Sequence, residues 1–451
     1  MIDSYDLDTP EGSSRTLTIG WLSLALGSLV VGGLFTILIV MSRTPGIQDV
    51  FPWIDFFHTA LVVHVDLTVL VWFLSCAGML WSYNSQGRCT ACGWSALGLC
   101  ILGAFILTLS PFLGAGGPLM NNYVPVLQDP TFFVGLGIFG IGFTLLVVRG
   151  LVSSHPIGSS ISGSGALRFG LYTALLIALV SVGALISSWL LIPDSLTGQY
   201  YYELLFWGGG HTIQFTHVQL MLVAWLWLGT VSAAVPRLKP RIAILLFALG
   251  ALPGLATVYV YLAYDITSAS HTLWLTWLMQ YGGGLAALPI ALVIVPGFLG
   301  HSGPFDDQRR AQRSALFFSI LLFTTGGIIG YLISGSNVTI PAHYHGSIVA
   351  VTLAFMGITY HILPRLGFRQ PAGKMARLQP ALYGTGQMLH VLGLAWSGGY
   401  GVQRKTAGSA QALESIEKLA GMGLMGLGGL IAIVGGLLFL VVVFRAMWPR
   451  N

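Results

Sequence analysis

The sequence predicts an all-α polytopic membrane bundle of about twelve transmembrane helices. Two observations predict it. Of 451 residues, 55% are hydrophobic and only 8% are charged, against roughly 25% charged in a soluble domain. The apolar residues also gather in runs of about 20, the length of helix that crosses a bilayer. No soluble fold of this length hides so much apolar surface, so lipid is the expected solvent for most of the chain. The runs fall near 17–42, 57–83, 94–113, 131–149, 168–192, 200–234, 241–264, 272–299, 314–334, 341–364, 380–398 and 419–447. Polar, Gly- or Pro-containing loops separate them. No soluble domain interrupts the series and no strong internal repeat is visible. The chain therefore reads as a single membrane domain over 1–451, with a tail at 1–16 and the bundle at 17–447.

Orientation follows from Lys and Arg, which favour cytoplasmic loops. With the N-terminus inside, the cytoplasmic segments hold Arg15, Arg88, Arg149, Arg168, Arg237, Lys239, Arg241, Arg309, Arg310, Arg313, Arg365, Arg369, Lys374, Arg377, Arg445 and Arg450, leaving only Arg43, Arg404, Lys405 and Lys418 outside. Both termini are expected in the cytoplasm. The net charge of +5 is thus a topology signal and does not indicate nucleic-acid binding. Met1 to Thr16 is polar and acidic and lacks the apolar stretch of a cleaved leader. Of Cys76, Cys89, Cys92 and Cys100, the middle pair forms a C-x-x-C followed by Gly93. It lacks the His of a covalent heme attachment site and cannot close a tetrahedral metal site alone. Its place in a reducing compartment argues against a structural disulfide.

Ionisable side chains within a span are costly and point to function. Neutral imidazole is also the commonest metal ligand. His58, His64, His211, His217, His271, His343 and His345 all fall in or at the ends of predicted helices on the outer half. Imidazoles at one depth on several helices are what a buried cofactor layer needs. His343 and His345 lie two apart and point about 200° apart on a helix. Such a pair serves two cofactors on opposite faces better than it chelates one ion. His217, six residues beyond His211, reads as a core histidine.

The run A-H-Y-H-G-S-I-V-A-V-T-L-A-F-M-G (342–357), closing in I-L-P-R-L (362–366), resembles the helix-ten signature of the catalytic subunit I of the heme-copper oxidase and nitric oxide reductase superfamily. The resemblance implies that His343 holds a high-spin heme and His345 a low-spin heme. V-V-H-V-D-L-T-V-L-V-W-F (62–73) resembles helix two, which implies His64 as the other low-spin ligand; His58, in F-H-T, resembles one branch of the family. L-L-F-W-G-G-G-H-T-I-Q-F (204–215) resembles the helix-six segment whose His, here His211, binds a non-heme metal. Its three glycines suit close approach of a heme or a neighbouring helix. In H-V-L-G-L-A-W-S-G-G-Y-G-V-Q-R-K (390–405), Arg404 and Lys405 match the basic pair that holds heme propionates. N-N-Y-V-P-V-L (121–127) is similar to an outer loop of the family.

Three features depart from the pattern. The family's paired histidines on helix seven are absent, and an ungapped count puts Tyr264 and Asp265 in their place. A carboxylate is a harder donor than imidazole and suits iron better than copper; the s-type nitric oxide reductases are similar in placing aspartate there. A slipped register would bring in His271 as a further ligand, although its plainer reading is a loop residue. Second, Phe215 stands four residues after His211, where common oxygen reductases carry a redox Tyr, while Tyr259 and Tyr261 precede the proposed site. Third, helix eight has no Lys and no acid lies deep on the cytoplasmic side. Asp66, Glu203 and Asp265 lie toward the outside, which suits proton uptake from there through Glu203 or Asp265.

The resemblance therefore implies a respiratory reductase of a bacterial inner membrane, with nitric oxide the leading substrate. It would hold one bis-histidine low-spin heme and one high-spin heme, of b type by expectation, with a non-heme iron or copper on His211 and Asp265. No cytochrome or cupredoxin motif is present, so a separate donor subunit, carrying cytochrome c or a binuclear copper centre, is expected beside membrane lipid. The alternatives are an oxygen-reducing cytochrome c oxidase subunit I, and an electron-transfer or scaffold subunit that lost the non-heme metal.

Overall fold

The computed structural model describes residues 4–41, 56–114, 116–158, 160–299, 305–404 and 413–448. Its helices are α1 (Gly12–Met41), α2 (Phe56–Val65), α3 (Trp72–Tyr83), α4 (Thr90–Leu109), α5 (Pro130–Ser153), α6 (Gly163–Leu191), α7 (Gly198–Val231), α8 (Pro240–Ala263), α9 (Ala269–Gly282), α10 (Ala287–Ile294), α11 (Asp307–Tyr331), α12 (Thr339–Arg365), α13 (Gly373–Gly399) and α14 (Ile416–Met447). A π-helical turn, Asp66–Val71, joins α2 to α3, and α9 and α10 run on as one interrupted pass, so the described residues make twelve passes. Every pass overlaps a predicted apolar run.

Ten passes are long and apolar enough to cross a membrane. The other two are α7 and α13. They are interrupted by Glu203, His211, His217 and Gln219, and by Gln379, Gln387 and His390. Polar groups at that depth cost free energy in lipid, and both helices turn them inward: Gln219 and Gln379 are fully buried. Some helices begin earlier than their apolar run. α11 starts at Asp307 because Asp306 caps it, accepting from the Arg309 N–H at 2.7 Å. Such a polar first turn stands outside the apolar zone and is invisible to hydropathy.

The bundle is closed by small-residue contacts rather than by amphipathic faces, as lipid offers no hydrophobic drive between helices. α13 meets α14 at Gly386, where a Cβ would stand 2.5 Å from the Ala432 nitrogen. α4 meets α5 at Gly103, where one would stand 2.5 Å from the Phe139 nitrogen. The only strands among the described residues, β1 (Pro118–Leu119) and β2 (Val126–Leu127), pair antiparallel and close a loop between α4 and α5.

The segment before α1 is fastened down. Tyr5 donates its hydroxyl to the Leu238 carbonyl at 2.8 Å. Asp6 pairs with Arg365 and accepts from Trp227 Nε1, both at 2.6 Å. Arg15 donates to the Leu366 carbonyl. The expectation against a structural disulfide is corrected: Cys89 and Cys92 are bonded, their Cα atoms 5.3 Å apart. Cys89 takes a left-handed backbone (φ 47°) at the start of α4, and buried Arg149 donates to its carbonyl at 3.2 Å. The compartment argument carried no information about that local turn.

Candidate heme and gas-binding site

The candidate residues gather in the half of the bundle opposite the N-terminal segment. The first turns of α12 present His343 and His345. The His343 Nδ1 lies 2.7 Å from the Gly326 carbonyl on α11 and donates to it. The helices approach this closely because Gly326 has no side chain: a Cβ there would stand 2.8 Å from Ser347 N and 2.9 Å from the His343 oxygen. At Gly330 a Cβ would meet the His343 ring at 2.7 Å. A carbonyl fixing Nδ1 leaves Nε2 as the free donor, the arrangement of a metal-binding imidazole.

His64 is built the same way. Its Nδ1 lies 2.9 Å from the Gly32 carbonyl on α1 and 3.1 Å from Thr36 Oγ1. The π-helical turn begins two residues later. It shifts the register so that Asp66 is buried at 1% exposure, with both carboxylate oxygens unpartnered among the described residues. His345 stands within electrostatic reach of His64. Its ring also packs edge-on against His390 of α13, centroids 4.8 Å apart, and His390 Nδ1 lies 3.0 Å from the Met425 carbonyl. Three helices thus bring three imidazoles together. Sequence reasoning missed His390 as a site residue; the signal was an inward His within a span. His58 opens the same pass, half-buried, six residues before His64.

His211 sits in α7 between glycines that make room for two tyrosines. A Cβ on Gly210 would stand 2.3 Å from the Tyr123 ring, and one on Gly208 would stand 1.9 Å from the Tyr261 hydroxyl. Tyr123 comes from the N-N-Y-V-P-V-L loop, where Asn121 Oδ1 accepts from the N–H groups of Tyr123 and Val124, each at 3.0 Å. Burial, with Glu203 nearby, holds its phenol well above the ordinary range, so it is a hydrogen-bond donor. His211 Nδ1 is 2.9 Å from the Trp207 carbonyl, and the Tyr123 hydroxyl lies across the ring, 2.7 Å from Nδ1 and 3.0 Å from Nε2. Sequence reasoning does not find Tyr123, because its partners lie far along the chain.

The helix-seven candidates separate. Tyr261 donates or accepts at Ser188 Oγ, 2.7 Å away, and packs edge-on against His271 at 4.8 Å. Tyr259 is 59% exposed and points outward. Tyr264 stacks on Trp274. The Asp265 carboxylate is exposed and accepts from Thr267 N and Oγ1, bonds that hold it below its ordinary range. The structure does not bring Asp265 to His211. His271 is 1% exposed and packs against Tyr261, and neither ring nitrogen has a partner among the described residues. Glu203 accepts from Asn122 at 3.0 Å, and Arg404 reaches Asn122 Oδ1 at 3.4 Å. Lys405 lies outside the described residues. Buried His217 packs edge-on against Phe73 with Nδ1 unpartnered.

The residues fit hemes: carbonyl-anchored, half-buried imidazoles on α2 and α12 keep Nε2 turned away from the carbonyl that holds Nδ1. The carboxylate of Asp265 is engaged by Thr267 in its own turn. Among the described residues no group of three or more His, Cys, Asp and Glu gathers.

The family described as Cytochrome C and Quinol oxidase polypeptide I matches residues 16–448. The chain belongs to this family, subunit I of the heme-copper oxidases, and is a multi-pass membrane protein of a respiratory oxidoreductase class. It is similar to an uncharacterised protein of Rickettsia prowazekii, 28% identical over 98% of each chain. An uncharacterised protein of Aquifex aeolicus is 29% identical over 80% of this chain and 88% of its own. The fold matches a heme-copper terminal oxidase dimer solved by cryo-electron microscopy, with a TM-score of 0.70 at 17% identity, over 98% of this chain and 85% of that one.

Proposed function

We propose that the chain is the catalytic subunit of a respiratory reductase that joins two nitric oxide molecules into nitrous oxide. His64 and His345 would hold a low-spin heme and His343 a high-spin heme. Bound hemes supply electron transfer and an iron that takes a diatomic gas. Electrons would come from a separate cytochrome c or cupredoxin subunit on the outer face of a bacterial inner membrane, with both termini cytoplasmic.

The observation that carries the reading is the matched anchoring of His64 and His343, each with Nδ1 on a glycine carbonyl of a neighbouring helix. His343 is thereby committed to α11 and His64 to α1.

The gas preference rests on what stands near His211. Making N2O and water from two NO takes two electrons and two protons. Cleaving O2 takes four electrons at once, and a tyrosine is the usual extra source. The position four residues after His211 is Phe215, 2% exposed and unable to give a proton. The Tyr123 hydroxyl holds a proton at His211. Asn122 and Glu203 continue polar contact from the same loop toward the outer surface, which suits protons taken from that side. A second reading, oxygen reduction, is favoured by Tyr261, whose hydroxyl reaches Gly208, one turn before His211.

Gas consumption by the purified complex with a reduced donor decides between them. Nitric oxide consumed faster than oxygen is expected; the reverse order overturns the assignment. Proton release to the outside during turnover would contradict outer proton uptake.

A further inference from the structure

We propose that Cys89 and Cys92 form a reversible dithiol–disulfide site that exchanges electrons with a dithiol protein of the cytoplasm. The proposal goes beyond the reading above and rests on it only for the orientation, which puts the N-terminal face of the bundle in the cytoplasm.

The pair sits at one helix end. Cys89 is the residue before the first turn of α4 and Cys92 lies in that turn. Cys89 is exposed and Cys92 is half-buried. Arg88 beside them is also exposed, which marks the water side of the span and not its lipid-facing flank. Exposed disulfides are the exchangeable ones, and a reducing compartment does not leave such a pair permanently closed. The other cysteines give the contrast: Cys76 and Cys100 are 0% and 1% exposed.

The surroundings favour negative charge on a freed sulfur. The first N–H groups of α4 have no partner within the helix and point to this end, where the positive pole of the helix dipole lies. Buried Arg149 of α5 donates through Nε to the Cys89 carbonyl and through Nη2 to Ser85 Oγ, both at 3.2 Å. Its guanidinium has no carboxylate partner among the described residues. A helix N-terminus and a nearby cation are what make a cysteine of a C-x-x-C reactive.

Opening the pair reaches beyond α4. Cys89 holds a left-handed backbone (φ 47°), which is costly for a residue with a Cβ; among the described residues only Ala233 shares that property outside glycine. The same turn fastens two other helices. Arg149 ties it to α5, and Thr90 Oγ1 donates to Ser13 Oγ of α1 at 3.2 Å. Reduction removes the covalent clamp on that turn.

Exchange runs in two balanced steps. A thiolate of the partner attacks Cys89 Sγ, the exposed sulfur; the S–S bond breaks, a mixed disulfide forms, and Cys92 leaves as a thiolate that takes up a proton. The partner's second thiol then attacks its own sulfur in the mixed disulfide, frees Cys89 as a thiol and closes the partner's disulfide. The pair gains two electrons and two protons, and the partner loses as many.

The test uses full-length protein in inside-out and right-side-out membrane vesicles. Glutathione stands in for the partner, and a charged, membrane-impermeant maleimide is the label, read by mass spectrometry. Full reduction by dithiothreitol first reads the face: labelling of Cys89 and Cys92 is expected in inside-out vesicles alone. Excess reduced glutathione should then open the pair in the folded protein and excess oxidised glutathione should close it, with buried Cys76 and Cys100 unlabelled throughout. Cys92→Ser should trap Cys89 as a stable glutathione adduct, and Cys89→Ser should form its adduct about 10-fold more slowly. Labelling from the outer face would overturn the orientation and the proposal together. Labelling from inside after dithiothreitol, with no opening by glutathione, would keep the orientation and overturn the proposal, as would an opening that oxidised glutathione fails to reverse. Gas consumption and heme content take no part in these readings, so the substrate assignment stands or falls apart from them.

Discussion

His64, His211, His343 and His390 each turn Nδ1 toward a backbone carbonyl, at 2.9, 2.9, 2.7 and 3.0 Å. The recurrence fixes ring planes through neutral backbone groups, and it is the feature that separates them from His217 and His271, whose Nδ1 atoms have no partner among the described residues. Asp66 is the opposite case, a buried carboxylate with no donor on either oxygen among the described residues. Such a group destabilises the fold, because its desolvation is offset by nothing. Asp66→Leu should therefore raise thermal stability, by roughly 1–3 kcal/mol on the scale of an unsatisfied buried group; a lower melting temperature in detergent would contradict it. At this scale the sequence named His64, His211, His343 and His345 from local motif and helical spacing. It could not rank Asp265 against His271, because that choice depends on how a five-residue turn between α8 and α9 aims two side chains. Nor did it find His390 or Tyr123, whose neighbours lie far along the chain.

At the scale of elements, closeness between helices does the positioning. α12 seats His343 against α11 only because residues 326 and 346 are both glycine, their backbones in mutual contact. Gly326→Ala should push the helices apart, costing roughly 1–3 kcal/mol as overpacking does, and should weaken binding of carbon monoxide at the high-spin heme while sparing the low-spin spectrum. Equal loss of both heme signals would mean that the contact supports the whole bundle rather than His343. In α7 the same device admits side chains instead of backbone: Gly208 and Gly210 receive Tyr261 and Tyr123. The three glycines announced close approach in the sequence, but not by what. Helix positions were legible because twenty apolar residues in a row permit little else. The π-helical turn after His64 was not, since one extra residue per turn leaves the apolar run unchanged.

For the whole molecule, the N-terminal segment ties the far end of the bundle together, with Asp6 at its centre. Burial would raise its carboxyl, but His361 at 3.9 Å, Arg365 at 2.6 Å and Trp227 at 2.6 Å hold it well below the ordinary carboxylate value. A carboxyl lowered on folding adds stability above its unfolded value near 3.8 and gives it up as pH falls through the folded one. Wild-type protein should therefore lose roughly 1 kcal/mol below about pH 4 that Asp6→Asn lacks from the start, a figure already reduced for solvent screening at a half-exposed pair. Parallel stability curves from pH 3 to 7 would contradict it. The twelve-pass architecture was the most legible property of the sequence, and the bundle in turn places every heme-side imidazole in one half. The central claim is that this half holds two hemes through His64, His345 and His343. Heme quantification with low-temperature magnetic spectroscopy on wild type and His345→Ala tests it most directly. Two hemes in the wild type, with the bis-imidazole low-spin signal alone lost in the variant, is the predicted result. A wild type with fewer than two hemes, or a variant that keeps its low-spin signal, would contradict it.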